Sequence, residues 1–125
     1  MSEIEILPFA SAHLEQLIKI WNSIVAQGET FPQKEPLDMK DGFSFFSSQT
    51  FTGVAVKDHR IFGFYILHPN NIGRCSKIAN ASYGVIETAR GQGIGKKLVL
   101  HSLKTAKEKG FRILQFNAVV KTNHH

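Results

Sequence analysis

Apolar side chains recur along this chain with two different periods, and each change of period marks a change of element. Residues 3–7 alternate polar and apolar positions, with Ile4 and Ile6 on one face, until Pro8 ends the run; this predicts a short strand. Leu14, Leu17, Ile18, Trp21, Ile24 and Val25 then follow at spacings of three and four, which gives a helix one apolar stripe to bury. Ser11 is its expected cap and Gln27-Gly28 its stop. Residues 29–36 read as a loop containing Pro32 and Pro36, and residues 37–47 as a short helix packed down by Phe43, Phe45 and Phe46.

Two β-rich runs, residues 51–56 and 61–67, are separated by Lys57-Asp58-His59-Arg60, a hairpin signal, and His68-Pro69-Asn70-Asn71 closes the second. Another strand is expected over residues 77–86, then the glycine-rich turn Arg90-Gly91-Gln92-Gly93-Ile94-Gly95, then a helix over 93–109. Leu98, Val99, Ser102, Leu103 and Ala106 make that helix's buried face, and Gly110 ends it. Residues 111–120 form the last strand. The order is β-α-α-β-β-β-α-β, an α/β chain with a mixed sheet. The hairpin makes the earlier part antiparallel, while the helix between the last two strands makes them parallel with a right-handed crossover.

A length of 125 residues at 42% hydrophobic suits one domain with one core, here residues 1–123, with His124-His125 resembling the remnant of a tag. No apolar run can span a bilayer, and the N-terminus lacks a basic region followed by an apolar one, so a cytoplasmic protein with no membrane partner is expected. The single cysteine, Cys75, agrees with a reducing compartment. His13, His59, His68 and His101 are scattered, and no metal site is expected.

Charge sharpens the picture by its location. Of the net +5, much is local: residues 90–112 hold Arg90, Lys96, Lys97, Lys104, Lys107, Lys109 and Arg112 against Glu108 alone. A small nucleic-acid-binding domain would rest on this charge only, without an aromatic platform or recognition helix. A local anion fits better. A strand running into a glycine-rich turn that opens a helix supplies amides without internal partners, a positive dipole end and close backbone approach, which together bind phosphate. A Walker loop fails here, because Arg90 stands where its first glycine is needed and Lys97 where Ser or Thr should hold magnesium. A dinucleotide fingerprint fails too, its third glycine falling on Lys96 or Leu98.

Arg90-Gly91-Gln92-Gly93-Ile94-Gly95 instead resembles the pattern (Arg or Gln)-x-x-Gly-x-(Gly or Ala) of the GNAT N-acetyltransferases. The resemblance implies the acyl-CoA N-acyltransferase fold and acetyl-coenzyme A as cosubstrate. Loop amides of Gln92, Gly93, Ile94, Gly95 and Lys96, with Arg90 and Gly91, would cradle the pyrophosphate. The backbone of Val85 and Ile86 would hydrogen-bond the pantetheine arm. The lysines of the following helix read either as partners of the 3′-phosphate or as a solvated face. Trp21-Asn22, Gly28-Glu29-Thr30-Phe31-Pro32, Tyr65-Ile66-Leu67-His68-Pro69-Asn70, Ala79-Asn80-Ala81 and Gln115-Phe116-Asn117 through Asn123 further resemble a subgroup of bacterial enzymes and fungal proline-analogue acetyltransferases.

In that subgroup, asparagines placed like Asn80, Asn117 and Asn123 line the cleft and orient substrate or polarise the thioester. Asn80 reads equally as satisfying a strand bulge and Asn123 as a helix cap. Glu29 is a candidate proton acceptor or a solvated acid, and Phe31 a pocket wall or a core residue. The expected activity is direct acetyl transfer to the amine of a small or amino-acid-like molecule in a ternary complex; the alternative is a coenzyme A-binding module. Family members continue with a helix, two strands and often a tyrosine that protonates the leaving thiolate, so relative to them this sequence reads as truncated after its fifth strand. An uncovered last strand would then favour a homo-oligomer.

Overall fold

The computed structural model describes residues 4–26, 38–69, 78–86 and 93–122. The chain runs β1 (Glu5–Pro8), α1 (Leu14–Ala26), α2 (Met39–Ser48), β2 (Phe51–Lys57), β3 (Arg60–Pro69), β4 (Ile78–Ile86), α3 (Ile94–Glu108) and β5 (Ile113–Thr122), in the expected order. The strands form one sheet in sequence order. β1 through β4 pair antiparallel and β4 with β5 parallel, as the hairpin and the intervening helix require. Boundaries move by a residue or two, most visibly at β5, which starts at Ile113.

The β2–β3 turn is tight. Lys57 pairs with Arg60, and Asp58 and His59 between them take φ of 51° and 65°, the two left-handed residues that match a hairpin's twist. Gln16 of α1 clamps it from outside: its Nε2 donates to the His59 carbonyl at 2.9 Å, and its Oε1 accepts from the Ile61 N–H at 2.9 Å.

Helices cover both faces of the sheet, which is why β3 is buried from Gly63 to Leu67 without alternation. On one face, Trp21 of α1 meets Phe45 and Phe46 of α2 at ring separations of 5.0 and 6.0 Å and Phe64 of β3 at 6.3 Å. Trp21, Phe46 and Phe64 are almost fully buried, each contributing about 1.5–3 kcal/mol of apolar transfer energy. On the other face lies α3, against Gly63 and Tyr65 of β3 and Tyr83 of β4.

Three expectations need correction. Ser11 does not cap α1. The Phe9 N–H is tied to the Thr52 carbonyl, so the chain turns one residue earlier, at Ala10, through a 3₁₀ turn over Ser11–His13. There the Ala10 N–H donates to His13 Nδ1 at 3.0 Å. Phe43 is 46% exposed, while Phe45 and Phe46 do the packing of α2, and Asp38 caps that helix by accepting from the Asp41 N–H. Leu103 faces solvent at 44% exposure; Ile94, Leu98, Ser102, Thr105 and Ala106 form the buried stripe of α3 instead. The stripe of α1 runs through Leu14, Leu17, Ile18 and Trp21, with Ile20 also buried; the side chains of Ile24 and Val25 lie outside the described part.

Candidate functional site

α3 follows β4 in the chain, with residues 87–92 between them outside the described residues. Its cap, Gly93, has φ 71° and ψ 20°, a left-handed conformation that costs other residues about 1–2 kcal/mol. The first intrahelical bond runs from the Lys97 N–H to the Gly93 carbonyl at 3.0 Å. The amides of Ile94, Gly95 and Lys96 therefore have no carbonyl four residues back within the helix, and the dipole adds positive character there. Ile94 is 1% exposed, so its side chain anchors the turn and only its amide can face a ligand. Among the described residues, a Cβ placed on Gly93 or Gly95 would meet nothing within 4 Å. Lys96 is exposed beside it. Arg90, Gly91 and Gln92 lie outside the described residues.

Val85 and Ile86 are 4% and 5% exposed, so their side chains are buried in the core. Val85 pairs with Gly63 on one side and Lys121 on the other. β4 and β5 pair from Ile78↔Ile113 to Ile86↔Thr122, with a single irregularity between Ala81 and Tyr83. Ala81 stands opposite Phe116 and Tyr83 opposite Val119, so β5 carries one extra residue across from Ser82. Such a bulge interrupts the ladder, and it falls at Asn117 and Ala118.

Asn80 is half-buried on β4, paired with Gln115 of β5 and directly opposite His68 of β3. The register thus places Asn117 on the strand next to Asn80, two residues further along, at the level of Ser82. Asn123, Glu29 and Phe31 lie outside the described residues. His68, which no spacing in the sequence singled out, joins this row. Its Nδ1 lies 3.3 Å from the Pro69 carbonyl oxygen. The resembling segment around it includes His68, but its place beside Asn80 comes only from the strand register.

The tyrosines of the opposite face are engaged in packing. The Ser102 hydroxyl donates to the Val99 carbonyl at 2.7 Å, so in its 2.6 Å contact with Tyr83 the tyrosine is the donor. Tyr65 donates to Thr105 at 3.1 Å and lies 2.7 Å from His101 Nδ1, whose proton completes the contact. Burial raises the pKa of both phenols, keeping them protonated. Desolvation, then repulsion from Lys104, lowers that of His101. Among the described residues there is no group of three His, Cys, Asp or Glu that could hold a metal, and no helix long and apolar enough to cross a membrane.

A mixed sheet whose fourth strand runs into a glycine-capped helix, with a parallel fifth strand beyond it, defines an acyl-CoA N-acyltransferase fold. Residues 14–125 match the acetyltransferase (GNAT) family, and the chain belongs to it. It resembles a GCN5-related N-acetyltransferase from Kribbella flavida at 30% identity and a TM-score of 0.79, covering 93% of this chain and 72% of that one. The fold also matches that of yncA from Salmonella typhimurium, solved with its cofactor acetyl-CoA, at 15% identity and a TM-score of 0.81, covering 90% and 68% of the two chains. The N-acetyltransferase aca1 of Schizosaccharomyces pombe is 38% identical over 63 residues, half of this chain. The match spans 30% of that relative's length.

Proposed function

We propose that this chain transfers acetyl from acetyl-coenzyme A to the amine of a small, amino-acid-like molecule by direct attack in a ternary complex. The observation that carries the reading is the start of α3: a left-handed glycine, no described neighbour within 4 Å of a Cβ at Gly93 or Gly95, and three amides without helical partners. These fit a pyrophosphate, and Gly91, Gln92, Arg90 and Lys96 would complete the cradle. The backbone of Val85 and Ile86 would hold the pantetheine arm along β4. The bound thioester supplies the acyl group. Asn80 and Glu29 would orient the amine, Phe31 would wall its pocket, and Asn117 and Asn123 would donate hydrogen bonds to the carbonyl oxygen as charge develops on it. No metal is part of the scheme, and a cytoplasmic setting belongs to the same proposal.

The test is calorimetric titration with acetyl-coenzyme A, followed in the same sample by thiol release against a panel of amines that includes proline analogues. Binding with thiol release supports the transferase. Binding without release favours a coenzyme A-binding module, and no binding overturns the assignment of the cradle. We further propose that a second copy adds at β5, the outer strand of the sheet order; a monomer at micromolar concentration in light scattering would overturn this.

A further inference from the structure

We propose that His68 accepts the proton from the attacking amine, an inference that rests on the acetyltransferase reading above. Amide formation must dispose of one amine proton, and the asparagines of the candidate site cannot take it. His68 stands directly opposite Asn80 across the antiparallel β3–β4 pair, so the two side chains share a face, with Cβ atoms about 4.5–5.5 Å apart. Both are half-buried, which leaves them reachable from outside the core. The Pro69 carbonyl can only accept, so the 3.3 Å contact assigns the ring proton to Nδ1 and leaves the lone pair on Nε2. That is the tautomer a base needs.

The surroundings suit the role. On this face β3 offers Phe64 and Ile66, β4 offers Asn80 and Ser82, and α1 brings Trp21 against Phe64. None of these ionises, and neither β3 nor β4 contains an Asp or Glu that would compete for the proton. Asn80, with His68 of β3 opposite it, lies six residues before the end of β4, about 20 Å from the strand end that precedes α3. An acyl carrier anchored by its phosphates at α3 must reach back along β4 to meet them, and the β5 bulge opposite Ser82 lies at the neighbouring level.

In the step so assigned, the amine nitrogen attacks the thioester carbonyl carbon. The N–C bond forms, and the C–S bond breaks with its electron pair left on sulfur. The N–H proton passes to His68 Nε2, directly or through one water, and from the imidazolium to solvent, which also protonates the thiolate. Amine and thioester become amide and thiol with no other reactant.

The experiment uses the whole chain and His68→Gln, which keeps a polar side chain but has no basic nitrogen. With ¹⁵N-histidine labelling, His68 should show the Nδ1–H tautomer, and its Nε2 resonance should shift when an accepted amine is added. In thiol-release assays H68Q should lose about 100- to 1000-fold in kcat/KM. Its melting temperature and acetyl-coenzyme A affinity should be unchanged, with partial rescue of turnover by free imidazole. An Nε2–H tautomer, or H68Q turning over like the parent, overturns the role of His68 while leaving the transferase standing. A parent chain that neither binds acetyl-coenzyme A nor releases thiol overturns both.

Discussion

Gly63 joins the packing of the sheet to the geometry of the cradle, and replacing it with alanine should disturb both. A Cβ there would sit 2.8 Å from the Gly84 carbonyl oxygen, 3.2 Å from Leu98 Cδ1 and 3.3 Å from Ile94 Cγ2. The first contact is with backbone of the paired strand, which cannot rotate away, and the other two are with the first turns of α3. Overpacking of this kind costs about 1–3 kcal/mol. For a chain of 125 residues the unfolding entropy is about 0.26 kcal/mol/K, so Tm should fall by about 4–12 °C. Relief comes by pushing the start of α3 outward, which moves the amides of Ile94, Gly95 and Lys96 and weakens acetyl-coenzyme A binding. Differential scanning calorimetry and titration of the folded variant measure the two effects. An unchanged Tm would refute the packing argument, and a lowered Tm with unchanged affinity would refute the link to the cradle.

Gly95→Ala should keep acetyl-coenzyme A affinity and gain up to about 0.5–1 kcal/mol of stability, since its Cβ meets open space within a helix. Gly93→Asp or Gly95→Asp should abolish binding in a folded protein by setting a carboxylate against the pyrophosphate, which titration calorimetry reads directly. Gln16→Ala removes both clamps on the hairpin turn and should cost about 1–2 kcal/mol; urea unfolding with an unchanged midpoint would discount the clamp. Acidification should destabilise the fold. Desolvation lowers the folded-state pKa of His101, and that of His13, below 6.5, so the unfolded chain binds more protons; stability is fully present above that value and is lost as pH falls through it toward the folded pKa values. His101→Gln should flatten this dependence in thermal melts taken from pH 8 to 5, and a parent Tm that rises on acidification would contradict it.

Periodicity carried the element order and pairing directions because both follow from which positions must be buried. The facing of α3 was only partly legible. Leu103 is the more apolar choice, yet Thr105 is buried, because the tyrosine beneath it offers a hydroxyl partner that no helical wheel contains. Ser102 is buried beside Tyr83 in the same way. The glycine cap of α3 was readable because glycine spacing at a strand-to-helix change is local. His68 was not, since its meaning lies in a partner twelve residues away across the β3–β4 register. The β5 bulge was hidden for a related reason: an inserted residue appears only when two strands are counted against each other.

β3 occupies the middle of the five-strand order, with antiparallel partners on both sides and helices above and below. Its inner amides should therefore exchange with deuterium only when the whole domain opens, which makes them a gauge of global stability. A ligand that binds the folded state adds its linkage energy to that gauge, about 2.7 kcal/mol at a concentration 100 times its Kd. Acetyl-coenzyme A seated at the start of α3 would thus slow exchange at Tyr65 and Leu67, residues it need not touch, and candidate acyl donors can be ranked by protection at the centre of the sheet without any turnover.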